Sequence, residues 1–133
     1  MIVVDSLILS GFLFSKDQNH SLAVAVRDKD PEWHCPELAL SEMRSVALKQ
    51  HRVGNPLDVV IAAAELAPQT VLLHRLSDSA SVLSAAVEGK LWAYDAEYVA
   101  LARRLDCKLV SSDTEILAGF PALAIHPHDF VKA

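Results

Sequence analysis

The stretch Ile2-Val3-Val4-Asp5-Ser6 begins as an apolar run and ends on a carboxylate and a hydroxyl. A short run of this kind is typical of a strand that is buried on both faces, as in parallel sheets. The pattern recurs near the other end of the chain, where Leu109-Val110-Ser111 is followed by Asp113. Two strands that each lead to an acid indicate a sheet whose carboxyl edge carries both acids.

The rest of the chain alternates between strand patterns and helix patterns. Strands are predicted over residues 2–4, 33–36, 70–73, 108–111 and 123–125, and helices over 7–14, 19–27, 37–50, 55–66, 77–87, 93–105 and 114–117. The fourth helix is predicted to begin with Asn55 as its N-cap and to be stopped by Pro68. This alternation is typical of a three-layer α/β/α domain with a mainly parallel central sheet. Ligands of such sheets bind at the carboxyl ends of the strands.

Length and composition indicate a single domain over residues 1–133. Apolar residues make up 52% and charged residues 22% of the chain, which excludes a disordered segment. The net charge of −5, from 12 Lys and Arg against 17 Asp and Glu, excludes a strongly basic nucleic-acid-binding domain. A negatively charged protein that acts on nucleic acid needs another source of positive charge at its site.

The cysteines and the apolar segments predict a cytoplasmic protein without membrane contact. Cys35 and Cys107 are too few for a disulfide framework and are predicted to be reduced thiols. No window of about eighteen uncharged apolar residues is present. Residues 1–5 also lack the basic region of a signal peptide.

Four acids stand where an isolated surface charge is not expected: Asp5, Glu42, Asp95 and Asp113. The first and last follow strands, whereas the middle two share helix faces with apolar residues three and four positions away. Each acid alone has an ordinary alternative, since Glu42 can reach water from the edge of its face and the aspartates can cap helices. Together the four predict a carboxylate cluster at the carboxyl edge of the sheet.

A cluster of four carboxylates is unstable unless a cation neutralises it. Close carboxylates raise one another's pKa, and a divalent cation relieves the repulsion. Ligand sets made of oxygen alone suit Mg²⁺ or Mn²⁺ rather than zinc. A cation held in this way activates water and neutralises phosphodiester oxygens during hydrolysis. The cluster therefore predicts a metal-dependent hydrolase, in which the cation supplies the positive charge that the chain lacks.

Other catalytic patterns are absent from the sequence. His126 and His128 flank Pro127 and are predicted to be surface histidines, and the cysteines lack the spacing of zinc ligands. There is neither a glycine-rich phosphate loop nor a Gly-x-Ser-x-Gly motif. Leu7 stands where an aspartyl phosphatase would carry a second aspartate, two residues after Asp5.

The acid-bearing segments, in order, resemble the PIN-domain ribonucleases that form the toxin half of VapBC toxin–antitoxin pairs. The resembling segments are Val3-Val4-Asp5-Ser6, the stretch from Trp33 through Ser41-Glu42-Met43-Arg44-Ser45-Val46, residues 93–102 around Asp95, Leu109-Val110-Ser111-Ser112-Asp113, and His128-Asp129-Phe130. The resemblance covers nearly the whole chain. It implies a PIN-like fold and a Mg²⁺- or Mn²⁺-dependent endoribonuclease that pairs as a homodimer and is silenced by a protein antitoxin. Single-stranded RNA is the expected substrate, because its bases are exposed for recognition.

The same resemblance assigns the site residues. The implied metal ligands and catalytic residues are Asp5, Glu42, Asp95 and Asp113, and the implied supporting hydroxyls are Ser111 and Ser6. Ser6 enters this set because Leu7 replaces the Asn or Ser that the family usually carries two residues after its first acid.

Two departures from the family pattern leave a non-catalytic alternative open. Leu7 is one, and Ser45 is the other, since it replaces the Asn that often follows the second acid by three residues. The alternative is a PIN-like or receiver-like module that binds a metal without hydrolysis. Arg44, Arg103 and Arg104 are candidates for steering RNA, with solvated helix charges as the simpler interpretation.

Overall fold

The computed structural model describes every residue from 1 to 133 and contains one five-stranded sheet. Its strands are β1 (Ile2–Val4), β2 (Trp33–Pro36), β3 (Leu72–His74), β4 (Leu109–Val110) and β5 (Ala124–Ile125). They lie in the order β3-β2-β1-β4-β5, and every neighbouring pair is parallel. The parallel α/β sheet predicted from the sequence is confirmed.

Nine helices cover the sheet in two layers. They are α1 (Ser6–Leu13), α2 (His20–Lys29), α3 (Leu38–Arg52), α4 (Leu57–Glu65), α5 (Ala67–Thr70), α6 (Ser79–Gly89), α7 (Ala93–Leu105), α8 (Thr114–Gly119) and α9 (Pro127–Lys132). The strand order reverses after β3, so right-handed crossovers place α1 to α5 on one face and α6 to α8 on the other. Contacts agree, because α1 packs on α2 and α3 whereas α6 packs on α7 and α8. The domain is a three-layer α/β/α sandwich.

The central strands are the middle of the hydrophobic core. Val3, Val4, Leu109 and Val110 are completely buried, as expected for strands covered on both faces. Helix α7 contacts β1, β2 and β4, which explains why residues 98–102 are all buried. None of the helices combines the length and the apolar character that crossing a membrane requires.

Helix capping differs from the sequence-based prediction at two places. Asn55 does not cap the fourth helix; its amide donates to the backbone and side-chain oxygens of Gln50, at 3.0 and 2.8 Å, and Pro56 takes the cap position. At the other end of the chain an unpredicted helix, α9, begins at Pro127, where a fixed φ suits the first turn. The ring of His126 accepts a hydrogen bond at its start, so His126 is a capping residue rather than a free surface side chain.

The third strand is also displaced from its predicted position. The fourth helix ends at Glu65, ahead of Pro68 as predicted, but Pro68 itself lies in the first turn of α5, where no backbone N–H is needed. This short helix includes Thr70, so β3 begins at Leu72 rather than at residue 70.

The strand order excludes the receiver-like alternative. Receiver-type sheets have the order 2-1-3-4-5, in which the first strand lies between the second and the third. Here β1 lies between β2 and β4, and β3 is an edge strand. The chain therefore has a different topology from a receiver domain.

A close approach of two glycines fixes α8 against α6. A Cβ atom on Gly119 would lie 3.1 Å from the Cα of Gly89, and a Cβ on Gly89 would lie 2.3 Å from Cε2 of Phe120. The Phe120 ring is buried and lies 4.9 Å from the guanidinium carbon of Arg103. Because the acid Asp113 begins α8, this contact also holds one candidate site residue in position.

Replacing Gly89 by alanine is expected to destabilise the fold by about 1–3 kcal/mol, because the new methyl group must displace the buried Phe120 ring. Urea denaturation of Gly89→Ala and of a control, Val87→Ala, measures the difference. Val87 is 80% exposed on the same helix, so its truncation is expected to change the free energy of unfolding by less than about 0.5 kcal/mol. Equal stabilities of the two variants would contradict the glycine contact.

Candidate active site at the carboxyl edge of the sheet

The carboxyl ends of β1 and β4 lie side by side, and each leads to an acid. Since the connections from these strands leave in opposite directions, this is the switch point where α/β sheets bind ligands. Asp5 follows β1 and caps α1, with its Oδ1 accepting from the Ile8 N–H at 3.0 Å. Asp113 follows β4 and caps α8, accepting from the N–H groups of Glu115 and Ile116 at 2.8 and 3.0 Å. The capping role and the strand-end position therefore coexist in both residues.

Ser111 connects these two acids. Its hydroxyl donates to Oδ2 of Asp5, and its oxygen accepts from the backbone N–H of Asp113 at 3.0 Å. Asp5 is only 5% exposed, and burial raises the pKa of its carboxyl from 3.8 to about 6. The hydrogen bonds from Ser111 and Ile8 oppose this rise, and the negative charge of Asp113 adds to it.

Glu42 lies in the second turn of α3, on the side that faces α7. The hydroxyl of the buried Tyr98 donates to Oε1 of Glu42 at 2.5 Å. Burial raises the pKa of Glu42, the Tyr98 and Ser6 hydroxyls lower it in part, and the charge of Asp95 raises it. Hydroxyl groups therefore orient Glu42, and no Lys or Arg side chain pairs with it.

Asp95 lies in the first turn of α7 and lines the same cleft as Glu42. This cleft has a volume of about 820 Å³, and its wall also includes Ser6 and Leu7. Burial raises the pKa of Asp95, and the charges of Asp113 and Glu115 raise it further. The four acids therefore act on one another electrostatically, although they form two pairs. Asp5 and Asp113 are joined through Ser111, whereas Glu42 and Asp95 line the cleft.

The donor set of this cluster fits a hard divalent cation. None of the four acids forms a salt bridge, because the ion pairs of the structure all lie elsewhere. No three acidic, histidine or cysteine side chains converge closely enough in this arrangement to ligate one ion. The four carboxylates nevertheless repel one another, offer only oxygen donors and are paired with no basic side chain. Mg²⁺ and Mn²⁺ are the cations that neutralise acids of this kind.

Sequence reasoning missed four side chains around this cluster. Three of them line the cleft with Glu42, namely Lys49, Trp92 and Tyr94. The fourth is the buried Tyr98, whose hydroxyl donates a hydrogen bond to Glu42. The available signal for Lys49 was its spacing, since it follows Glu42 by seven residues and so returns to the same helix face. The aromatic residues at 92 and 94 flank the start of the Asp95 helix, where no period distinguishes exposed from buried positions.

The arginines considered for steering RNA lie outside the cleft. Arg44 lines a groove between α3 and α4. Arg103 pairs with Glu88 at 2.8 Å, and Arg104 donates to the backbone oxygen of Arg75. By contrast, Leu7 and Ser45 both line the cleft. These are the two residues at which the chain departs from the family pattern.

Replacing Asp5 by asparagine is expected to stabilise the metal-free protein near neutral pH. When the pKa of an acid rises from 3.8 to about 6 on folding, the free energy of unfolding is unaffected below about pH 4. Above about pH 6 it is lowered by about 3 kcal/mol. Asparagine mimics the protonated acid, so the advantage of Asp5→Asn over the wild type should grow between these pH values. Urea denaturation in chelator at about pH 4 and about pH 8 measures it. A stability difference between Asp5→Asn and the wild type that does not change with pH would contradict the claim that the Asp5 carboxylate is buried and unpaired.

Comparisons with known proteins agree with this architecture. The crystal structure of PAE2754 from Pyrobaculum aerophilum matches the chain with a TM-score of 0.75 at 20% identity, over 98% of this chain and 87% of that one. At that identity the match shows a shared fold. No curated protein sequence matches the chain. The family model of the PIN domain, which is generally a nuclease domain, matches residues 2–120, a range that includes all four acids. The chain therefore belongs to the PIN-domain family.

Proposed function

We propose that this protein is a Mg²⁺- or Mn²⁺-dependent endoribonuclease that hydrolyses single-stranded RNA at the cleft lined by Glu42 and Asp95. The observation that carries the proposal is the set of four mutually repelling carboxylates, unpaired with any cation, at the switch point of a PIN-domain sheet. A divalent cation bound there would activate water and neutralise the negative charge that develops on the phosphate.

Each acid has a separate part in this proposal. Asp5, Glu42, Asp95 and Asp113 would together hold one or two cations, and their side chains would have to converge further than they do in this arrangement. Ser111 fixes one Asp5 oxygen and the start of the Asp113 helix, so that both carboxylates keep a defined orientation. Tyr98 fixes one Glu42 oxygen by donating its hydroxyl to it. The raised pKa of Asp95 and its position in the cleft make it the candidate to accept the proton of attacking water.

The proposal extends to a cytoplasmic toxin that is silenced by a protein antitoxin and that pairs as a homodimer. Support comes from an apolar groove of about 500 Å³ between α3 and α4. Leu48, Leu57 and Ile61 line it and are each about half exposed, at 46%, 54% and 45%. Contiguous exposed apolar surface of this kind favours protein contacts.

Cleavage assays with matched asparagine variants test the enzymatic proposal. Asp95→Asn is expected to reduce the rate at which single-stranded RNA is cut by at least about 100-fold, because a general base or metal ligand is lost. Asp106→Asn is the control, since Asp106 is exposed at the other end of α7 in a left-handed conformation that asparagine tolerates. The assay compares Mn²⁺, Mg²⁺ and chelator on linear and circular RNA, because only an endonuclease cuts circles.

Folded wild-type protein that cuts no RNA in any arm would contradict the nuclease and favour the non-catalytic PIN-like module. Cutting that is equal in chelator would contradict the metal dependence alone. Growth of a bacterial culture that expresses each variant tests the toxin role separately. The wild type and Asp106→Asn are expected to arrest growth, and Asp95→Asn is not. Growth that is unaffected by active enzyme would instead indicate an RNA-processing role.

A further inference from the structure

The cleft beside the carboxylates carries two exposed aromatic rings that nothing in the fold requires. Trp92 is 79% exposed and Tyr94 is 67% exposed, and both line the cleft with Glu42 and Asp95. The other aromatic residues are buried or partly buried. The two most exposed aromatic side chains of the protein therefore both line the cleft of the candidate active site.

Both rings are largely exposed and engage neither another aromatic ring nor a basic side chain, and their backbone belongs to the start of α7. No ring-ring or cation–π contact of the structure involves either residue. Trp92 is the N-cap of α7 in an extended conformation, directly after the buried Leu91, and the buried Ala96 anchors the first turn of the helix. Rings held on a rigid backbone with open faces bind a planar partner without much loss of conformational freedom.

The rest of the cleft wall adds polar groups to the two rings. Four serines and Lys49 are part of it, and they offer hydroxyl groups and one ammonium group to a phosphate backbone. Five of the twelve residues that line the cleft are hydrophobic, against seven of the ten that line the groove between α3 and α4. Stacking of bases on aromatic rings combined with positive charge along the backbone is how proteins hold single-stranded nucleic acid.

We propose that Trp92 and Tyr94 form a stacking platform that binds an unpaired base of the RNA substrate next to the carboxylates, with Lys49 binding the adjacent phosphate. This inference rests on the proposed function for the identity of its ligand. The platform selects single strands, because a base in a duplex has no free face, and it accepts different bases, because every base has a π face.

Binding of oligoadenylate tests the platform without requiring cleavage. Fluorescence anisotropy measures the binding in buffer that contains Ca²⁺, and the RNA is checked for integrity afterwards. Trp92→Ala is expected to raise the Kd about tenfold, and Trp92→Phe to restore most of the affinity. Tyr94→Ala should behave like Trp92→Ala. Val87→Ala, which truncates an 80% exposed residue on α6, should bind like the wild type. Thermal unfolding of each variant confirms that the fold is intact.

Two further measurements tie the effect to a stacked base. An oligomer of the same length with abasic sugars should bind the wild type as weakly as the intact oligomer binds Trp92→Ala. Tryptophan fluorescence should fall when oligoadenylate binds the wild type but not Trp92→Phe, because the remaining Trp33 is buried in the core.

The possible outcomes separate this inference from the nuclease proposal. Trp92-dependent and base-dependent binding without any cleavage supports the platform and contradicts the nuclease. Cleavage with an unchanged KM in Trp92→Ala, or equal affinity for the abasic and intact oligomers, overturns the platform alone. A change in oligomeric state in Trp92→Ala with unchanged RNA binding also overturns it, and would assign the rings to a protein interface.

Discussion

The Asp5 carboxylate is buried at the end of β1, where it accepts hydrogen bonds from the Ser111 hydroxyl and the Ile8 N–H. No Lys, Arg or His side chain is paired with it. A buried charge without a partner is costly, and the rise in its pKa expresses that cost. The sheet order creates the situation, because β4 lies next to β1 and delivers Ser111 and Asp113 to the same point. The three-layer fold thus brings carboxylates that have no paired basic side chain to one edge of the sheet, and the divalent cation that we propose would neutralise them.

The proposed cation would also account for how an acidic protein could act on RNA. The net charge of −5 repels a phosphate backbone over long distances, Arg103 is paired with Glu88, and Arg104 donates to the backbone oxygen of Arg75. Local attraction must therefore come from the site: a bound cation at the acids, Lys49 in the cleft wall, and base stacking, which depends little on charge. We expect such an enzyme to recognise exposed bases more than it recognises the backbone.

Features set by chain-local patterns were predictable from the sequence. The buried strands at residues 2–4 and 33–36 matched their apolar runs, and the alternation of strands and helices gave the layers. Features decided by tertiary contacts were not. Asn55 was read as a cap from its position before Pro56, but a nearer partner, Gln50, takes its amide. Thr70 has strand propensity, yet Pro68 begins a helical turn that includes it.

The candidate site shows the same division between local pattern and tertiary contact. The four acids were identifiable because strand ends and apolar helix faces are unusual places for charge. Ser111 was expected as a supporting hydroxyl only through the family resemblance. No local pattern indicates that it donates to Asp5, 106 residues away in the chain, while it accepts from the N–H of Asp113. The exposure of Trp92 and Tyr94 could not be read from the sequence either, because aromatic residues before a helix are as often buried as exposed.

The most direct test of the account is the titration of metal-free protein with Mn²⁺ by calorimetry at about pH 6, in two buffers of different ionisation enthalpy. Protonated carboxylates must lose their protons to bind the ion, and Asp5 is half protonated near this pH. The account predicts saturable binding accompanied by proton release, both of which weaken in Asp5→Asn. Absence of saturable binding, or binding that releases no protons, would contradict the claim that the buried acids form a cation site.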